Sequence, residues 1–213
     1  ADGPGGTNNR WFLTWSPTGT VDFGVGVSGT GNECLGNSVV VLNSWTNITA
    51  TFNNGQVYIY INGILDAFSS INTTSLSHVQ NCNIKIGSAP ISSFFPGKID
   101  KVQLWNTALT QSEIQSYMSS PPTGNEAGLV GYWNFNEGSG STVTDLSGNG
   151  NNGTINGATW STDAPAQYAN NCTATDDVVV TVNPQDDATF AYSASSYCAD
   201  PLDPNPINPT PTI

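Results

Sequence analysis

Charge is scarce in this chain. Only 9% of its 213 residues are Asp, Glu, Lys or Arg, and the four bases face sixteen acids, for a formal net charge of −12. Nucleic acids and anionic membranes are attracted by clustered Lys and Arg, so neither is expected as a partner. No apolar run approaches the roughly eighteen residues that would span a bilayer, so no membrane insertion is expected. There is one His, His78, and none of the four Cys forms a C-x-x-C, which leaves too few ligands for a zinc site of the usual kind. Glu is rare as well: Glu33, Glu113, Glu126 and Glu137 form no E-x-D or E-x-E pair.

That last absence bears on catalysis. Glycoside hydrolysis usually needs two carboxylates about 5–9.5 Å apart, which on one strand means alternate positions. The adjacent pairs Asp176-Asp177 and Asp186-Asp187 would point to opposite faces of a strand. "GVGVSG" (24–29) fits G-x-G-x-x-G, but it lies inside and after a strand pattern and not between a strand and a helix, as a dinucleotide fingerprint requires. The chain reads as no enzyme.

What is present is aromatic and β-like. Six Trp, seven Tyr and eight Phe can build a packed core, and polarity comes from Asn, Ser, Thr and Gly. Alternation predicts strands at 10–16, 20–27, 38–42, 47–52, 56–61, 64–69, 82–88, 97–105 and 128–135. Asn62-Gly63 is a type I′ hairpin pair, since both positions need positive φ. One helix is expected at 110–118, opened by the capping-box pattern Thr110-x-x-Glu113 and stopped by Pro121 and Pro122. The even number of Cys in a Lys-poor, Asn-rich chain predicts disulfides in an oxidising compartment, with buried free thiols as the other reading. Chain order suggests Cys34–Cys82 and Cys172–Cys198, with connectivity left open. The first residues, "ADGPGGTNN", read as a cut or processed end.

"DLSGNGNNGTINGATW" (145–160) resembles the first half of a calcium loop. Asp145, Ser147 and Asn149 stand at positions 1, 3 and 5, with Gly150 at position 6. Position 12 is Asn156 and not Glu, and no helices flank the loop, so it is no EF-hand. It is either an oxygen-rich cation loop or a plain Asx-turn loop bonded to its own backbone.

Three stretches carry a family resemblance. "GKIDKVQLWNTALTQSEI" (97–114) resembles the closing strand and helix of laminin-G-like, concanavalin A-like jelly rolls of the pentraxin type. "WTNITATFNNGQVYIYINGILDAF" (45–68) resembles their central hairpin, and "GLVGYWNFNEGSGSTVTDLSGNGNNGTINGATW" (128–160) their opening segment. The implied fold is all-β: a two-sheet antiparallel jelly-roll sandwich with one short helix, spanning 1–165. The opening segment is displaced to the end, and the expectation is that it returns to complete the same sandwich.

The resemblance also implies a Ca²⁺ joining the opening segment to an acid of the last strand, here Asp145, Asn149 and Asn151 meeting Asp100. Residues 166–213 resemble a linker and partial immunoglobulin-like module from very large secreted surface proteins of Bacteroidota, gliding-motility adhesins among them. The implied function is a non-catalytic, secreted, cell-surface binding or adhesion module. Its partners would be a glycan or an extracellular protein, with neighbouring immunoglobulin-like modules on the same chain. A spacer or fibre subunit without a ligand, or a carbohydrate-binding appendage of a secreted glycoside hydrolase, are the alternatives.

Overall fold

The computed structural model describes residues 11–25, 32–72, 83–89 and 93–165, all within one unit, Ala1–Gln167. Its strands are β1 (Trp11–Trp15), β2 (Val21–Val25), β3 (Glu33–Leu35), β4 (Ile48–Asn53), β5 (Gln56–Ile61), β6 (Ile64–Ser70), β7 (Ser88–Ala89), β8 (Ser93–Phe94) and β9 (Val102–Trp105). After helix α1 (Gln111–Ser119) come β10 (Leu129–Trp133), β11 (Thr142–Val143) and β12 (Gly153–Thr154). Every strand pair is antiparallel. The described residues thus form the expected all-β jelly-roll type of fold with one short helix.

Two three-stranded sheets make the core, ordered β1-β2-β3 and β4-β5-β6. Alternation assigns their faces. Val21, Phe23 and Val25 of β2, Cys34 of β3, Val57 and Ile59 of β5, and Ala67 of β6 point inward and join one buried cluster with Ile71. Removing a side chain such as Val57 or Ile59 from water contributes about 1.5–3 kcal/mol. The sheets adjoin along β3 and β6, and β2 also approaches β5. The seam is bonded at both ends: Asn37 N donates to Asp66 Oδ2 at 2.8 Å, and Asn72 N donates to Asn32 Oδ1 at 3.3 Å.

The β5–β6 turn is the expected Asn-Gly hairpin, with φ of 49° at Asn62 and 71° at Gly63. Helix α1 carries the full capping box: Thr110 Oγ1 accepts from Glu113 N, and Glu113 Oε2 accepts from Thr110 N at 2.7 Å. Gln115 of the helix donates to Gly63 O at 3.0 Å, and Tyr117 packs against Trp105 in a tilted pair with ring centroids 4.8 Å apart.

Three expectations are corrected. "SVVVL" (38–42) is not a strand. Val40 packs on the core and its N–H reaches Gly19 O at 2.8 Å, while Val39, Val41 and Leu42 point to solvent. The strand in that region is β3, whose single inward residue, Cys34, gives too short an alternation to recognise. Of the described residues 83–88, only Ser88 is in a strand, and Ile84 and Ile86 are exposed. Cys34 is a free thiol and not half of a bridge. Its side chain lies in the aliphatic core, where burial first, and then the negative charges of Asp66 and Asp22, push its pKa up to about 11. Such a thiol stays protonated and inert. Cys82, Cys172 and Cys198, like His78 and the whole of 166–213, lie outside the described residues.

Candidate functional site

Two places in the described residues gather polar chemistry: the loop 145–152 and the outer face of the β4-β5-β6 sheet.

The loop is built around a bulge. The register of β9 and β10 slips between Leu129 and Gly131, so Val130 has no ladder partner. A skipped carbonyl needs donors from elsewhere. Val130 O accepts from Ser147 Oγ at 3.0 Å, Asn149 Nδ2 at 3.2 Å and Asn151 Nδ2 at 2.8 Å. Asn149 Nδ2 also reaches Leu129 O at 3.0 Å. Carbonyls only accept, so the amide nitrogens of both Asn side chains face them.

Asp145 is the centre of this loop, 7% exposed. Its Oδ1 accepts from Tyr132 N at 3.0 Å and Ser147 N at 2.9 Å, and its Oδ2 accepts from Asn151 N at 2.9 Å. Burial alone would raise its pKa, but these donors outweigh burial and hold it below the usual carboxylate range. Asn152 Oδ1 accepts from Asp145 N at 2.9 Å, and Trp133 Nε1 donates to Asn151 O at 2.9 Å. Ser147, which the loop pattern placed at position 3, and Asn152, which the sequence reading did not single out, are therefore working members of the loop.

Asp100 stands apart. It leads into β9, which occupies one edge of β10. The other edge is taken by the loop, since Leu146 N donates to Tyr132 O at 2.7 Å. Of the expected ligand set, Asp145, Asn149 and Asn151 are joined in this loop, and Asp100 makes no hydrogen bond to any of them. Asp100 Oδ1 accepts from Lys101 N at 3.0 Å, while Oδ2 is buried without a hydrogen-bond partner. Burial raises its pKa against the opposing pull of Lys101. Burial also raises the pKa of Tyr132, and the charges of Asp100 and Glu126 add to that.

A calcium cage takes about six to eight oxygens with lone pairs free. Here Asp145 spends both oxygens on backbone N–H groups, and Asn149 and Asn151 present N–H and not C=O. As placed, this donor set does not fit Ca²⁺; it is the chemistry of an Asx-turn loop capping a bulge. Among the described residues, no three His, Cys, Asp or Glu side chains gather in a way that could hold a metal.

The second place lies on the sheet. Inward Val57, Ile59 and Ile61 turn Tyr58 and Tyr60 to the other face, where Tyr60 and Thr51 are buried, Tyr58 is half-buried, and the exposed part is the end that carries Gln56, Phe68 and Ser70. Cross-strand register sets Thr51, Tyr58 and Phe68 in one row and Asn53, Gln56 and Ser70 in the next. The Tyr58 and Phe68 rings stack with centroids 6.3 Å apart and planes 26° apart, and Phe68 is 70% exposed. Gln56 Nε2 donates to Ser70 Oγ at 2.9 Å. The alternation of "QVYIYI" shows which Tyr faces outward. It does not show that Phe68 lies opposite, because a bulge between Ile59 and Tyr60 shifts the register. A shallow depression of about 300 Å³ beside Ile64, Leu65 and Asp66 offers less chemistry, since Asp66 is already bonded to Asn37 N and Ser38 N.

Comparison with known proteins gives the fold a family. A search of curated proteins found no match. Among solved structures, a candidate carbohydrate-binding protein of Bacteroides ovatus ATCC 8483 is similar at a TM-score of 0.53 and 21% identity. The match covers 76% of this chain and 50% of that one. An S-layer domain-containing protein of Clostridium thermocellum ATCC 27405 (residues 221–444) is similar at a TM-score of 0.36 and 22% identity, over 55% of this chain and 59% of that one. The chain thus spans only 50% to 59% of the lengths of these two neighbours. Residues 1–115, more than half of the 213, match the concanavalin A-like lectin/glucanases superfamily. The chain belongs to the concanavalin A-like lectin/glucanases superfamily.

Proposed function

We propose that this chain is a non-catalytic, extracellular carbohydrate-binding module of a larger surface protein. The observation that carries the reading is how the carboxylates are used. Asp66 and Asp145 bind backbone N–H groups. Glu113 and Glu126 each clasp a Thr three residues earlier, through Thr110 and Thr123, and Glu137 accepts from Thr144 N. Asp163 holds Lys98 and Trp45. Two-carboxylate hydrolysis needs both acids free to exchange protons with a sugar. These six acids are structural clasps, and Asp100, which keeps one buried oxygen without a hydrogen-bond partner, is a single carboxylate and not a pair, which favours the lectin side of the superfamily over the glucanase side.

The likeness to a candidate carbohydrate-binding protein supports the same reading, as does a composition poor in Lys and rich in Asn. Adhesion to a cell-surface glycan is the finer form of this proposal. A glycan array probed with the 213-residue chain, run beside a reducing-sugar assay on soluble glucans, tests it. Glycan binding without sugar release is expected. Sugar release that one Asp or Glu substitution abolishes makes the chain an enzyme. Absence of binding across the array leaves the spacer or fibre reading in its place.

A further inference from the structure

We infer that the outer face of the β4-β5-β6 sheet is the glycan site, and that it takes an uncharged sugar chain through Tyr58, Phe68, Gln56 and Ser70. The inference rests on the carbohydrate-binding reading and names the surface and the ligand class.

Three observations carry it. First, Phe68 is 70% exposed on β6, the strand at one side of the sheet, with one side of its ring against Tyr58 of the central strand. An aromatic ring in that position offers an apolar plane, and the C–H face of a pyranose is a matching apolar plane. Second, the next row along the strands is the Gln56–Ser70 pair. Two residues along a strand is about 7 Å, so a sugar stacked on Phe68 carries its hydroxyl rim over an amide and a hydroxyl that donate and accept. Third, the rows Thr51-Tyr58-Phe68 and Asn53-Gln56-Ser70 hold no charged side chain, in a chain of net charge −12. Polyanions are repelled, and a charged peptide finds no counter-ion. A neutral amphipathic ligand fits all three.

The loop 145–152 competes poorly for this role, because its polar groups are consumed by β10. The exposed Val39, Val41 and Leu42 are apolar without polar neighbours arranged for hydroxyls, which suits no sugar.

The test is native affinity electrophoresis of the 213-residue chain. The gels contain a neutral polysaccharide (a soluble β-glucan, a xylan or a galactomannan) or an anionic one (alginate). Retardation by at least one neutral polysaccharide and not by alginate is expected. Phe68→Ala should weaken that retardation about tenfold or more, which corresponds to about 1.4 kcal/mol. Gln56→Ala should weaken it less, and Leu42→Ser should leave it unchanged. Phe68 and Gln56 are both exposed, so their variants should keep the wild-type thermal midpoint. If wild type is retarded by a neutral polysaccharide and Phe68→Ala is retarded equally, the site is wrong while the module reading stands. Retardation by alginate alone overturns the ligand class. A wild type that no polysaccharide retards overturns the module reading and the site together.

Discussion

The backbone N–H of Tyr132 donates to Asp145 Oδ1 at 3.0 Å, so a loop carboxylate sits where a neighbouring strand's carbonyl would otherwise pair with β10. Asp145 closes the outer edge of β10 by imitating a strand, and Ser147, Asn149 and Asn151 cap the bulge beside it.

Replacing Asp145 by Ala should therefore unpair three backbone N–H groups at once, on Tyr132, Ser147 and Asn151. A loss on the order of 3 kcal/mol is expected, and a smaller one for Asp145→Asn, which keeps one accepting oxygen. The sign of the pH dependence follows from the lowered pKa. The contribution is complete above the unfolded carboxylate value and is lost as pH falls through the folded one. Urea titrations at pH 7 and pH 3 check this, and an equal deficit of Asp145→Asn at both pH values would contradict it.

Asp100 should behave oppositely. Its pKa is raised by burial, so its charge costs stability in full above the folded pKa, and the cost shrinks as pH falls and is gone below the unfolded carboxylate value. Asp100→Asn should raise the thermal midpoint at pH 7 in EDTA, with the gain fading as pH is lowered toward 4. A lower midpoint for the variant means that Oδ2 has a partner in solution.

Calcium gives an independent reading of the same groups. A ligand at one hundred times its Kd stabilises the folded state by about 2.7 kcal/mol, which moves the midpoint of a domain this size by several degrees. Because the carboxylate of Asp145 and the amides of Asn149 and Asn151 are engaged within the chain, millimolar Ca²⁺ should leave the midpoint within about 1 °C of its value in EDTA. A rise of several degrees that Asp145→Asn removes would show that the loop reopens to bind the ion.

Gly124 has φ of 106°, and a Cβ there would run into the carbonyl oxygen of Leu146. Both the conformation and the close approach require glycine. Gly124→Ala should destabilise the chain by roughly 2 kcal/mol or more, measured by urea titration. Gly148→Ala is the comparison: its φ is also positive, but nothing lies within 4 Å, so it should cost less.

The pairing of β10 with β9 bears on whether 128–160 completes the sandwich. Leu129, Tyr132 and Trp133 are buried, and their loss would uncover one edge of β9. A chain ended at residue 127 should unfold at a lower midpoint or aggregate. Equal solubility and an equal midpoint would mean that 128–160 is dispensable to the rest.

The sequence by itself determined the class of fold, because alternation is a local property. "TVDFGVGV" and "QVYIYI" can bury one face only as strands, and Thr110-x-x-Glu113 can close a helix without help from elsewhere. It also determined that the loop is rich in oxygens and tight turns. Tertiary structure decided what those groups bond to. Asx-turn and cation loop share one pattern, and the sequence does not reveal that the bulge at Val130 supplies a carbonyl to which the Asn amides donate. The same holds for the sheet face. Tyr58 is legible from its own strand, but Phe68 joins it through a register that a one-residue bulge in β6 resets, and no local pattern encodes that shift. Cys34 makes the same point on the inner face: its type suggested a bridge, and burial among β2, β3, β5 and β6 leaves it a protonated core thiol.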